Sequence, residues 1–545
     1  MEKARRQSPH VVAASAGVRI RTRLHLTPAE ARTLCEIGNF NGGLYRQELA
    51  ARVGRGSLNR KQQAAYRTER KRVLTAATSS RWAGAITRTV EDQYQSGMRA
   101  VDTHVRGMES AMAILEARCA LQPNERDGKI IGYRNAAERF AKTRRLAVLR
   151  ERSERARRDL ADAHARIVVG GKRLWRKRNH LAQAGLSENE WRREWDAARM
   201  FLTADGETGK SGGNETIRVT SATGRLRIKV PAALADRLGT HLNIATAVAF
   251  HHRHSEWRDR VENNRAVRYD ISYDAARHRW YLDASWSMAP VLPVPLGTVR
   301  SGRVLGVDLN CGHLATCVLD SSGNPVGEPG AILIAAQGFS ASRQDGRLRA
   351  AITALLDEAE YSGCAAIVIE NLDFADLRAT GRETMGRGRR GKRFRRTVAG
   401  IPTGKFRERL RSMAAHRGIA VVAVDPAYTS KAGSRHWRPP LQNQTKTPGC
   451  TVTAHHGAAV AIGRRGLGMK LSRHSSGPRH AQRSVLGQPS SVATVSDRVQ
   501  RVAGDKSCLT PSPDGRLEWS GSKHHLTAAK TVRTAIERDR LPLTE

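Results

Sequence analysis

Two short apolar runs, each ending in an acid, constrain this chain most. Arg303-Val-Leu-Gly-Val leads into Asp308, and Ala365-Ala-Ile-Val-Ile leads into Glu370 some sixty residues later. Each reads as a buried strand that delivers a carboxylate at its C-terminal end, just before a turn. An ionised carboxylate leaving water costs roughly several kcal/mol even after relaxation. Each acid therefore needs a cation or a set of hydrogen-bond donors. Two such acids in one domain suggest a shared metal ion; the alternative for either one is a helix cap or one of the many arginines.

The N-terminal part is organised differently. Val18, Ile20, Thr22, Leu24 and Leu26 alternate with Arg19, Arg21, Arg23 and His25, which predicts a strand with one buried and one basic face. Thr27, Pro28 and Glu30 then supply an N-cap, a first-turn proline and a capping-box acid, so a helix starts near residue 28. Residues 57 to about 200 are rich in Ala, Arg, Leu and Glu and predict several amphipathic helices, with Arg144–Arg178 the most basic stretch. There Arg173, Trp175, Arg176 and Lys177 combine charge with an aromatic ring, a surface suited to phosphate contact plus stacking; a solvated helix face is the plainer reading.

Residues 214–300 turn to β character. Thr216–Val219, Leu226–Val230, Val267–Ile271 and Trp280–Trp286 alternate apolar and polar residues between Gly, Asn and Asp turns, predicting a small antiparallel sheet or barrel. Just before them, Gly209-Lys210-Ser211 approaches a phosphate-cradling loop. Ala204 replaces its first glycine and a strand follows in place of a helix, so ATP is not expected.

Composition favours a polyanionic partner. Lys plus Arg number 93 against 51 Asp plus Glu, a formal charge of +42, and arginine dominates, as bidentate phosphate contacts prefer. Codon bias explains part of the arginine excess over lysine but not the imbalance with acids. The most basic stretch after residue 300, Arg378–Arg411, contains Arg389, Arg390, Lys392, Arg393, Arg395 and Arg396 among glycines and follows Glu370 directly. No apolar run reaches membrane-spanning length and no signal peptide is expected, which points to the cytoplasm. Seven cysteines without paired spacing fit a reducing compartment, so disulfides are not expected.

The order Gly306-Val-Asp308-Leu-Asn, Gly312-His313-Leu-Ala, then Ile369-Glu370-Asn-Leu, then Val424-Asp425-Pro-Ala-Tyr-Thr-Ser430 resembles the split RuvC domain of transposon-encoded TnpB proteins and of the small type V CRISPR effectors. The resemblance implies an α/β multidomain protein. It comprises a first part of an antiparallel β wedge (1–56), an inserted helical recognition lobe (57–211), the rest of the wedge (212–300), an RNase H-like RuvC domain (301–468) and a mostly disordered tail (469–545) with one short helix near Thr527–Arg540. It further implies a guide RNA and target DNA as partners, and two Mg²⁺ (or Mn²⁺) ions held by three acids. Carried onto this chain, the catalytic positions are Asp308, Glu370 and His455, with Asp308 and Glu370 as metal ligands.

The departures from that pattern matter as much. His455 opens the stretch His455-His-Gly-Ala-Ala where the third acid should stand, and imidazole suits softer metals than Mg²⁺. Gly433 and His436 occupy the cysteine places of the first zinc knuckle and Cys450 is the lone thiol nearby, so no zinc is expected; an ordered loop held by Trp437, Pro439 and Pro440 should replace the ribbon. The expectation is RNA-guided double-stranded DNA binding at an impaired site, acting by blocking transcription or replication. The alternatives are an active metal-dependent endonuclease using His455 or His456, and a transposon relic without RNA.

Overall fold

The computed structural model describes residues 8–472 apart from 129, 290, 291, 335–338, 340, 372–388, 390–402 and 446–450. Cys450, the 473–545 tail with its expected helix, and the basic residues Arg390, Lys392, Arg393, Arg395 and Arg396 lie outside the described residues.

The acid-bearing runs form the middle of a six-stranded sheet. Its order is His10–Val11, Ala420–Val424, Cys364–Glu370, Arg303–Leu309, His313–Leu319, Gly330–Leu333. The Asp308 strand runs parallel to the Glu370 strand, which runs parallel to Ala420–Val424. On its other side the Asp308 strand pairs with His313–Leu319 in an antiparallel hairpin. Side chains alternate between faces, as the period of two requires. Leu305, Val307, Ile367 and Ile369 pack under helices Ala341–Tyr361 and Thr403–His416, in one core with Ile352, Leu355, Phe406 and Leu410. Val304, Ala366, Val368 and Val422 face the opposite way, onto Ala459, Val460 and Ile462 of helix Ala454–Gly466. Burial on both faces explains why these strands read as nearly continuous apolar runs.

Two further sheets build the N-terminal half. Strand Gly17–Leu24 pairs along its whole length with Arg279–Ser287, from Gly17 opposite Ser287 to Leu24 opposite Trp280. Arg268–Asp274 and Thr203–Ala204 complete that sheet, and Ile217–Val219, Leu226–Lys229 and His241–Ile244 form a separate one. This corrects the expected single sheet or barrel across 214–300. The buried Asn214 stands at the junction: its amide donates to the Ala204 and Val267 carbonyls, while its Oδ1 accepts from the Thr216 and Ile217 N–H groups. Those four bonds redirect the chain from one sheet into the next.

Helix Pro28–Gly54 begins with the expected Thr27–Glu30 capping box. Helices Arg60–Ala77, Ser80–Ala120 and Ala136–Ala161 follow, and the region also holds a small hairpin, Arg126–Asp127 with Ile130–Ile131. Trp82, Ile86 and Val90 of the 41-residue helix share one hydrophobic core with Ile20, Ile217 and Leu282 of the sheets. Among the described residues, no helix is long and apolar enough to cross a membrane.

The stretch expected to be an ordered loop is two short helices, Thr429–His436 and Arg438–Gln444, with Pro439 and Pro440 in the first turn of the second. The start of the expected tail is also packed. Met469 lies against the core beneath the His455 helix, and the Leu471 carbonyl accepts from Trp437 Nε1 at 2.7 Å.

Candidate functional site

The strand order turns around between the Asp308 and Glu370 strands, because one is followed by a neighbour to one side and the other by a neighbour to the opposite side. Ligands of open α/β sheets bind beyond the carboxyl ends of strands at such a point. Asp308 is the penultimate residue of its strand and only 6% exposed; Glu370 is the last of its own.

Asp308 is held by two side chains. Asn310 Nδ2 donates to its Oδ2 at 3.1 Å, and His455 Nδ1 lies 2.8 Å from the same oxygen. A carboxylate only accepts, so this contact places a proton on His455 Nδ1. His455 reaches Asp308 because its helix lies directly on the strand: a Cβ on Gly306 would overlap the Ala459 backbone. His313, on the adjacent strand, approaches the His455 ring edge-on at 5.4 Å. Burial first, then the neighbouring His455, depresses the His313 pKa, with Asp308 opposing.

His456 has a different task. Its Nδ1 accepts from the Thr453 N–H at 3.1 Å, closing the first turn of the helix. Burial, followed by His313 and His455, pushes its pKa down to about 4, so it stays neutral. With Nδ1 engaged in the cap and a further hydrogen bond to the Gly330 backbone, His456 is a helix-capping residue. That corrects its expected alternative role as a ligand.

Burial pushes the Glu370 carboxyl up to about 7. The Thr429 hydroxyl donates to Oε1 and opposes the rise, Asp308 adds to it, Arg465 opposes it and Asp425 adds. Arg407 extends to Asn371 Oδ1 beside it, and Arg465 donates to the Asp425 carbonyl. Sequence reasoning missed Thr429, Arg465, Arg407, Asn310 and His313 as members of this edge. Asn310, His313 and Thr429 lay within the quoted motifs; nothing local distinguished the two arginines from the other basic residues.

Asp308, Glu370 and His455 thus lie along one edge of the sheet. Among the described residues, however, no three His, Cys, Asp or Glu side chains are grouped so that they could hold an ion. Paired hard cations need converging carboxylates. Here the third position is an imidazole hydrogen-bonded to Asp308, so the described residues offer two carboxylates and a histidine rather than three converging acids, a donor set that does not fit two Mg²⁺ ions.

The expected nucleic-acid contacts divide into several kinds. Arg19 and Arg21 are not free on the basic strand face: both bind the buried Asp283, Arg19 at 2.9 Å and Arg21 through two bonds of 2.8 Å. Arg23 lies exposed on the same face. Arg173 and Arg176 are exposed, Lys177 pairs with Glu194 at 3.7 Å, and Trp175 carries the Arg178 guanidinium 4.4 Å from its ring centroid. Arg389 is exposed. Lys210, of the near-miss phosphate loop, pairs with Glu215 at 3.5 Å, and a single 3₁₀ turn follows it.

The fold and edge define a mixed α/β sheet protein with an acid pair at the carboxyl ends of adjacent parallel strands. Among solved structures, the chain is similar to "T. thermophilus RuvC in complex with Holliday junction substrate", at 16% identity over 30% of this chain and 91% of that chain, with a TM-score of 0.21. No family model matches the chain, and no curated protein matches it.

Proposed function

We propose that this chain is an RNA-guided, double-stranded DNA-binding protein of the TnpB and type V effector kind, with an RNase H-like domain that does not cut efficiently. The observation that carries the reading is the 2.8 Å contact between His455 Nδ1 and Asp308 Oδ2. It pairs two positions that, in the resembled family, would both be acids facing metal. The Glu370 carboxyl, raised to about 7, removes further negative charge from the same edge. The formal charge of +42 supports a polyanionic partner, since a chain this basic repels itself until neutralised.

On this reading the sheet edge is a docking surface, base pairing with the guide supplies sequence information, and the biological effect is occlusion of the bound DNA. Protein purified with its co-expressed RNA should bind a guide-matched plasmid tightly and leave it intact in Mg²⁺ and Mn²⁺. Cleavage in Mn²⁺ that disappears in Asp308→Ala would establish the metal-dependent endonuclease instead. Failure to retain any discrete RNA would remove the guided reading altogether.

A further inference from the structure

Two arginines of the N-terminal half, Arg46 and Arg199, are brought together without an acid between them. The helix Pro28–Gly54 and the segment at Arg199 pack so closely that a Cβ on Gly42 would overlap the Arg199 carbonyl. Arg46, one turn further on, donates to that carbonyl at 3.3 Å and so stands beside the Arg199 side chain. Neither guanidinium forms an ion pair among the described residues; Arg199 lies over the Trp195 ring, 5.1 Å from its centroid, and its Nε is buried with no hydrogen-bond partner. Burial and the nearness of Arg199 both depress the Arg46 pKa, with Asp196 opposing. Two adjoining cations that line one pocket without an acidic ion-pair partner form a site for an anion.

The pair lines an open pocket of about 570 Å³, with an apolar wall from Leu49 and Val53 and aromatic walls from Trp175 and Trp195. Trp195 is fixed in place: it stacks on Trp191 at 5.6 Å, and a Cβ on Gly170 would lie only 2.9 Å from its ring. Trp175 is the more accessible ring, at 38% exposure, with the Arg178 guanidinium over one of its faces. Arg166, paired with Asp159 at 2.7 Å, lines both this pocket and a second groove of about 650 Å³, where Arg152, Lys172 and Arg176 also lie. A phosphate site, an exposed ring and a basic continuation are the parts of a single-strand track.

We propose that this pocket binds one nucleotide of a single nucleic-acid strand, its phosphate between Arg46 and Arg199 and its unpaired base against Trp175, with the strand continuing past Arg166 into the second groove. The pocket has the volume of a small-ligand site rather than of a duplex, and stacking on Trp175 requires an unpaired base. The proposal rests on the nucleic-acid reading above and adds a site to it. DNA and RNA share this chemistry, so the test carries one arm for each.

The full-length protein is irradiated with single-stranded oligonucleotides containing 5-iodouracil, one DNA and one RNA, and the adducts are located by mass spectrometry. Affinity is measured in parallel by fluorescence anisotropy across a salt series. An adduct on Trp175 is expected, and the arm that gives it identifies the strand. Arg46→Gln with Arg199→Gln should weaken binding roughly tenfold and reduce the salt slope by about 0.7, the share of one phosphate on a single strand. Trp175→Ala should lose roughly tenfold, and Trp175→Phe much less. Adducts confined to other regions, with affinity unchanged in these variants, would overturn the site while leaving nucleic-acid binding intact. No binding of either strand by the wild type would overturn both. If the double arginine variant fails to fold, the wild-type adduct map still decides.

Discussion

Gly433 and Gly457 meet backbone to backbone: a Cβ on Gly457 would lie 2.5 Å from the Gly433 carbonyl oxygen, and one on Gly433 would overlap the Gly457 backbone. This crossing seats helix Thr429–His436 on helix Ala454–Gly466 and thereby joins Thr429, which binds Glu370, to His455, which binds Asp308. No flexible side-chain end is available to yield. Gly433→Ala and Gly457→Ala should each cost about 3 kcal/mol or more, at the upper end for overpacking. Because they act on one contact, the double variant should cost less than the sum. Urea unfolding of the four proteins checks both statements.

That contact also shows where sequence reasoning stops. The buried strands, the Thr27 capping box and the basic face of Gly17–Leu24 were legible because period and spacing are local. The strand His241–Ile244 is four residues with weak alternation, and it becomes a strand only by pairing with Leu226–Lys229. Gly433 reads as a missing zinc ligand in sequence and is a helix-crossing glycine in space, a role set by a residue 24 positions away. His456 looked equivalent to its neighbour His455, yet the helical turn points one imidazole into the cap and the other to Asp308. Arg19 and Arg21 looked like phosphate ligands because Asp283, their partner, lies more than 260 positions away.

Asp283 is almost wholly buried, whereas Arg19 and Arg21 keep more than half of their side-chain surface in water. Burial alone would raise the Asp283 pKa, but hydrogen bonds from Arg21 and Arg19 hold it below the usual carboxylate range. Removing both arginines strands a buried charge; removing the acid leaves arginines that water can solvate. Arg19→Gln with Arg21→Gln should therefore cost about 3 kcal/mol or more, and Asp283→Asn less. Since the folded pKa is depressed, this stabilisation is present above the unfolded pKa and is lost as pH falls through the folded one. The difference in melting temperature between wild type and Asp283→Asn should shrink as the solution is acidified.

Glu370 has the opposite sign. Its folded pKa of about 7 lies above the ordinary 4.5, so the folded state binds the proton more tightly. Stability from this group is fully present below about 4.5 and is lost as pH rises through about 7, an effect of roughly 3 kcal/mol. Glu370→Gln removes the charge and should flatten that part of the profile, leaving the variant at least as stable as wild type at pH 8. Melting curves across this range for the two proteins provide the check; parallel profiles would show that Glu370 is ionised in the folded protein at neutral pH.

His455→Asp tests what histidine does at the sheet edge. The substitution replaces the Nδ1 donor beside Asp308 by a second carboxylate, and two like charges this close repel unless a cation joins them. Without divalent ions the variant should melt below wild type. Mg²⁺ or Mn²⁺ should then raise its melting temperature by mass action, with little effect on wild type, because only the variant adds a third carboxylate directly beside Asp308. On the proposed RNA-guided reading, the same variant purified with co-expressed RNA should nick a guide-matched plasmid that wild type leaves intact. A cation response equal in both proteins would mean that His455 does not disable the edge, and the cause of any lost cleavage would have to be sought at Glu370 and its Thr429 hydrogen bond.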